Sequence, residues 1–385
     1  MNKYLISIIA YASNFMFFSG LIIIMTAFGH ASLAAEIALV YSIVSIFNQI
    51  FSYNVKNIIL IDHNKEFAFK VLKFRIILGI LILLLFFLIL NYFQLNFYSN
   101  KIIISIVIII MQQTIIEIIL FLSELKKNFK IFNYYNTFYI LNGFFIFINL
   151  LFLNNSYLQE IFYFIIIINF LFLFFFIDVK EILENKIFNF FNSDLKLFEL
   201  SSSVTIILSI FFWRVFIYIN YEKEISGILF SSFALGSFSG TLFSNIIGPS
   251  IIKKKKEINL FSQIYFIIIV IFSVSLLFFL YKNIFFKNLS YSNYFFFETA
   301  LYSILGSAMM LFAIKYRLYF FEYRKYRKYI YKLDIFIGLI TSFVPFILSI
   351  FDKNFIMYSY LFASFITLII SYFAYKLKFT RELNE

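Results

Sequence analysis

The chain has 385 residues, 63% of them hydrophobic and 14% charged, and carries a formal net charge of +12. Apolar runs of about eighteen residues or more recur along it, which excludes a soluble globular or disordered protein and predicts helices that cross a bilayer repeatedly. There is no cysteine, and the two histidines, His30 and His63, lie far apart in sequence, so thiolate metal sites, cysteine nucleophiles, disulfides and redox chemistry have no residues to work with and no metal or cofactor is expected.

In chain order, the first apolar run follows Lys3, is too long for a signal-peptide core and has no small-residue cleavage site, so it is expected to stay as the first helix. Apolar runs set against polar breaks predict twelve spans, at about 4–28, 33–55, 74–95, 102–123, 131–153, 157–178, 200–220, 225–251, 258–281, 294–314, 333–351 and 355–375. Lys and Arg collect in short cytoplasmic loops. On this count 26 of the 32 fall on one side, among them Lys65, Lys70, Lys73, Arg75, Lys253 to Lys256 and seven between Lys315 and Lys332; five fall on the other, and Arg214 lies within a span. Losing or adding a span would scramble that asymmetry. Phe, Ile, Tyr, Lys and Asn are over-used together, as AT-rich codons favour, so single asparagines carry little weight.

The expected fold is therefore an all-α integral membrane protein of about twelve transmembrane helices, with N- and C-termini cytoplasmic, in two six-helix lobes around a central cavity. The lobes are 1–178 and 200–376, joined by a cytoplasmic linker at 179–199, with a cytoplasmic tail at 377–385. The linker reads equally as an amphipathic interfacial helix or a solvated connection. A short echo, Ala38 to Ser42 against Gly227 to Ser231, fits two repeated lobes. The loops on the outer face are short, whereas membrane glycosyltransferases and sugar polymerases usually need a large outer loop or domain.

The stretch from Glu199 to Ile252 carries the most information. An arginine in an apolar span costs about 2.5–3.5 kcal/mol on insertion scales, so Arg214 either lines a polar cavity or snorkels to the outer interface. The next span holds Gly227, Gly236, Gly240 and several serines, which let a neighbouring backbone come close. Pro345, inside the eleventh span, is expected to kink it as a static bend or a hinge. Glu117 shares a helix face with Gln113 and is a candidate proton or ion site, or a structural acid. Glu36 and Glu298 read as interfacial acids, and Asp334 as a first-turn acid. The base-and-aromatic run from Lys315 to Lys332 and the tetralysine read as contacts to anionic lipid, with no nucleic acid partner expected.

The segment WRVFIYINYEKEISGILFSSFAL resembles the polysaccharide-transport branch of the multidrug/oligosaccharidyl-lipid/polysaccharide exporter superfamily. Members typically show an Asp-Arg pair, an apolar stretch and a Gly-x-Tyr-x-x-Ala-like start to the next helix. Here Arg214 and Gly227 stand on the Arg and Gly positions, Phe230 is near the aromatic and Ser231 or Ser232 near the small residue. Trp213 stands where the family has Asp, which leaves the acidic residue's role without a holder. The match covers about fifty residues, and the chain lacks the extra helices some members carry.

The resemblance implies a flippase in the bacterial inner membrane that turns a polyprenyl-diphosphate-linked oligosaccharide from the inner to the outer leaflet by alternating access, for surface polysaccharide assembly. Arg214 would receive the diphosphate. Tyr11, Ser13, Asn14, Asn48 and Gln49 would supply polar and aromatic contacts to sugars. Two alternatives stand: an exporter of small amphiphiles from the same superfamily, and a polytopic membrane enzyme such as a sugar polymerase or an acyltransferase built on His30 or His63.

Overall fold

The computed structural model describes residues 3–48, 65–92, 97–152, 158–176, 194–242, 291–322 and 327–382. All regular structure among them is helical: α1 (Lys3–Ala27), α2 (Ala31–Asn48), α3 (Lys65–Tyr92), α4 (Phe97–Leu125), α5 (Lys130–Phe152), α6 (Leu158–Phe176), α7 (Asp194–Asn220), α8 (Lys223–Leu242), α9 (Tyr291–Glu322), α10 (Arg327–Ser342), α11 (Val344–Phe351), a 3₁₀ helix at Lys353–Tyr358 and α12 (Ser359–Glu382). Among the described residues four stretches are long and apolar enough to cross a membrane: Ile102–Leu125, Phe295–Ile314, Lys328–Phe351 and Lys353–Leu377. Gln49, His63, the tetralysine, the expected span 258–281 and most of the linker 179–199 lie outside the described residues.

Helices run beyond the limits that hydropathy suggests, because apolarity marks the thickness of a lipid slab and not the length of a helix. Helix α3 begins at Lys65, before the apolar run at 74. Its first turns bury Ala68, Val71, Leu72 and Arg75, spacings that share one helix face. Arg75 is thus a core residue and not the loop base that its charge suggests. Likewise α9 continues to Glu322 and α10 starts at Arg327, so most of the basic run from Lys315 to Lys332 is helical.

The turn from α1 to α2 closes with Gly29 in the left-handed region (φ 84°), while the His30 N–H reaches back to the Met25 carbonyl at 2.9 Å. That six-residue reach is the Schellman ending that glycine favours. Helix α4 ends the same way, with Lys127 at φ 54° and the Asn128 N–H on the Ser123 carbonyl at 2.8 Å.

The chain forms two compact units, one of Met1–Phe17 and Val40–Ile207, the other of Phe18–Leu39 and Leu208–Glu385. The later boundary between the units falls within α7, and the hairpin 18–39 belongs with the C-terminal residues. Small residues explain its membership, since Ala31, Ala34, Ala35 and Ala38 are fully or nearly fully buried and leave room for the glycine- and serine-bearing face of α8.

In the first unit α4 buries Ile106, Ile109, Ile116, Ile118, Leu120 and Phe121 completely. Tyr11 packs on Phe121 and Phe132 at centroid distances of 5.5 and 5.7 Å. Polar side chains stitch the helices together. Asn136 donates to the Ile6 carbonyl (3.2 Å), Gln112 to the Ile166 carbonyl (3.0 Å) and Asn142 to Asn169 Oδ1 (3.2 Å). Where neighbours are as apolar as lipid, such bonds and close packing replace the hydrophobic drive.

In the second unit α8, α9 and α12 meet through small residues: Ser232, Thr299, Ser303, Ser307, Ser359 and Ser364 are all fully buried. A Cβ on Gly236 would lie 2.4 Å from that of Ser303, and one on Gly306 would lie 3.0 Å from the backbone of Leu361. Glycine at these positions is what allows the backbones to approach. In both units large apolar side chains remain outside, Phe174 and Phe351 being about three-quarters exposed (74% and 75%), a surface suited to lipid tails.

Candidate functional site

Helix α7 presents two successive side chains to two different partners within the second unit. Arg214, six residues before the helix ends at Asn220, donates from Nη1 to the Ala38 carbonyl of α2 at 2.8 Å. Its guanidinium also stands 5.9 Å from the centroid of Phe230 on α8, a cation–π distance. Trp213 donates its indole N–H to the Thr341 carbonyl of α10 at 2.8 Å and meets the Phe233 ring edge-on at 5.9 Å. The residue at the resemblance's acidic position is therefore a donor to a backbone carbonyl.

The glycine of the resemblance has a strict packing role. A Cβ at Gly227 would fall 1.8 Å from the Ala31 carbonyl oxygen, so α8 abuts the start of α2 where only glycine fits. One turn on, Ser231 Oγ donates to Thr26 Oγ1 at 3.0 Å. At the exposed rim Lys223 Nζ and Glu36 Oε1 pair at 2.8 Å. Hairpin 18–39 is thus held to α7 and α8 by contacts of different chemistry along its length. Gly240 lies further along α8.

The eleventh expected span is interrupted at Phe343, which separates α10 from α11, with Pro345 in the first turn of α11. The Phe343 N–H turns back to the Ile340 carbonyl at 3.2 Å, and helical bonding resumes with the Ile347 N–H on the Phe343 carbonyl at 3.0 Å.

The first unit holds a separate polar constellation on α1, α3, α4 and α5. Glu117 Oε2 accepts from Arg75 Nη1 at 2.6 Å, with side-chain exposures of only 6% and 2%. The Nε and Nη2 of Arg75 are buried without a hydrogen-bond partner. Asn14 is engaged at both ends, donating to the Gln113 carbonyl at 3.2 Å and accepting from the Tyr135 hydroxyl at 3.0 Å. The Tyr11 hydroxyl donates to Glu124 Oε2 at 2.6 Å, and Ser13 bonds to the Ile9 carbonyl of its own helix. Arg214 and Gly227 thus belong to one unit, Asn14 and Glu117 to the other.

Three groups carry no clear signal in the sequence. Arg75 reads as a loop base because the apolar run begins beside it. Asp334 reads as a first-turn acid, yet it is buried and accepts from Arg317 Nη2 at 2.7 Å. Tyr135 sits in an aromatic-rich stretch with nothing to single it out. Among the described residues no group of three or more His, Asp or Glu is placed to hold a metal ion.

No protein-family model, no curated protein and no solved structure matches the chain.

Proposed function

We propose that the protein is an inner-membrane flippase of about twelve spans, with both termini cytoplasmic, that moves a polyprenyl-diphosphate-linked oligosaccharide to the outer leaflet by alternating access. The observation that supports this reading is the setting of Arg214. Arg214 lies within the apolar stretch Val204–Asn220 of α7, where its guanidinium donates to the Ala38 carbonyl and stands over the Phe230 ring. Placing a cation in such a span costs about 2.5–3.5 kcal/mol, a cost an anionic ligand offsets. A diphosphate offers paired oxygens to the planar fork of arginine, and charge-assisted bonds of that kind are roughly twice as strong as the bond to a neutral carbonyl. The carrier's phosphates therefore displace the Ala38 carbonyl from Nη1.

The test is reconstitution into liposomes with a fluorescent polyprenyl-diphosphate sugar, scoring the fraction that reaches the far leaflet. Arg214→Ala is expected to abolish translocation and Arg214→Lys to retain a fraction of it, since an ammonium keeps the charge without the fork. Translocation by Arg214→Ala at the wild-type rate, or none by the folded wild type over a range of glycans and ion gradients, overturns the proposal.

A further inference from the structure

Pro345 has no backbone N–H, so the carbonyl four residues upstream cannot receive its helical bond. That carbonyl belongs to Thr341, and it accepts the indole N–H of Trp213 at 2.8 Å. We infer that Trp213 is a positioning residue that stands in for the amide Pro345 lacks, tying the last turn of α10 to the turn of α7 that carries Arg214.

Three observations agree. The helix is interrupted at Phe343, between Thr341 and Pro345, where the ring of a proline clashes with the carbonyl of residue i−4. The indole is aimed by its edge-on contact with Phe233 of α8. The Phe343 N–H bonds the Ile340 carbonyl three residues back, a tightened turn in which the regular i→i−4 bonding ends beside Thr341. An unmet carbonyl in a lipid-facing helix is costly because no water reaches it there, and an indole N–H is a donor with no competing acceptor role.

The geometry sets which part of the span moves. Thr341, before the break, is fixed to α7, and α11 begins beyond it. Rotation about Phe343 swings α11 while leaving α10 and Arg214 in register. A change that shifts α10 against α7 must first break the Trp213 bond. The link to Arg214 matters for transport only if the flippase reading is right; the hydrogen-bond exchange itself does not depend on that reading.

The test is a double-mutant cycle on the full chain, read by thermal midpoint in detergent and by indole NMR. Trp213→Phe keeps an apolar ring and removes the donor, and is expected to lower the midpoint by several degrees. Pro345→Ala restores an N–H for Thr341, so in that background Trp213→Phe is expected to change the midpoint little. The chain has a single tryptophan, so a ¹⁵N-indole label gives one resonance. It is expected downfield and slow to exchange in the wild type, and shifted upfield and faster in Pro345→Ala. Equal losses from Trp213→Phe in both backgrounds overturn the inference. So does rapid indole exchange in the wild type, a measurement that needs no variant to fold. Translocation assays leave these readouts untouched, so failure of the flippase reading and failure of this inference are separable.

Discussion

Arg75 and Glu117 face each other across 2.6 Å with both side chains withdrawn from solvent, and only one edge of the guanidinium is bonded. Two of the three guanidinium nitrogens are buried without a partner. A buried ion pair is stabilising relative to losing one member, and often not relative to replacing both. Glu117→Leu or Arg75→Met alone is therefore expected to cost about 3–5 kcal/mol, with the double variant close to wild type. Thermal midpoints of the three variants in one detergent check this; a double variant as unstable as the singles contradicts it.

Glycine tolerance divides sharply by position. At Gly227 and Gly236 an added Cβ meets backbone, at 1.8 Å from the Ala31 oxygen and 2.6 Å from that of Ser303. Alanine at either is expected to destabilise by about 1–3 kcal/mol or more, as overpacking does. At Gly143, inside α5, nothing lies within 4 Å of the place a Cβ would take, and alanine there is expected to stabilise by about 0.5–1 kcal/mol through helix propensity. Folded yield and midpoint of the three variants decide it; equal tolerance at Gly227 and Gly143 would be incompatible with the close approach of α8 to α2.

Asn14 has both ends of its amide engaged within the first unit. Tyr135→Phe removes one donor and is expected to cost about 1 kcal/mol, and Asn14→Ala somewhat more because the Tyr135 hydroxyl is then left buried without its acceptor. The two changes share one bond, so their effects are expected to be less than additive. Additive losses in a double-mutant cycle would show that the Tyr135 to Asn14 bond contributes nothing of its own.

The pair Lys223 and Glu36 is a contrast, with side-chain exposures of 57% and 46%. The hydrogen bond to Glu36 and then its charge hold the Lys223 ammonium above the ordinary lysine value. A raised folded value means that any stability from this pair is present below the ordinary value of 10.5 and is lost as the pH rises through the folded one. Between about pH 6 and 9, well below that ordinary value, Lys223→Gln is expected to have a small, pH-independent effect that vanishes in high salt. A strong pH dependence in that window would point to a different partner.

Helical structure is legible from the length of the apolar runs, and the polar side chains that join helices are not. Asn136, Asn142 and Asn169 look like products of base composition, yet each is buried and bonded between helices. Composition bias says how often a residue occurs and nothing about which copies face inward. Arg214 and Glu117 stand out because each interrupts an apolar run. Arg75 and Asp334 do not, because each sits at the edge of one, where a charge is cheap in water and where only the three-dimensional partner shows that it is buried. Trp213 departs visibly from a family pattern, but its use depends on a proline 132 positions later, a pairing that Trp213 and Pro345 reveal only when α7 and α10 are side by side.

The allotment of residues 18–39 to the second unit has a consequence in time. At a synthesis rate of about 5–20 residues per second, residue 208 follows residue 39 by on the order of 10–30 s. For that interval the hairpin has been made and the helices that clasp it have not. Ala31, Ala34, Ala35 and Ala38, all buried in the finished protein, must wait against lipid, the insertion machinery or a temporary helix partner. Slowed translation between residues 39 and 208 would lengthen that wait, and with it the window for proteolysis of the nascent chain.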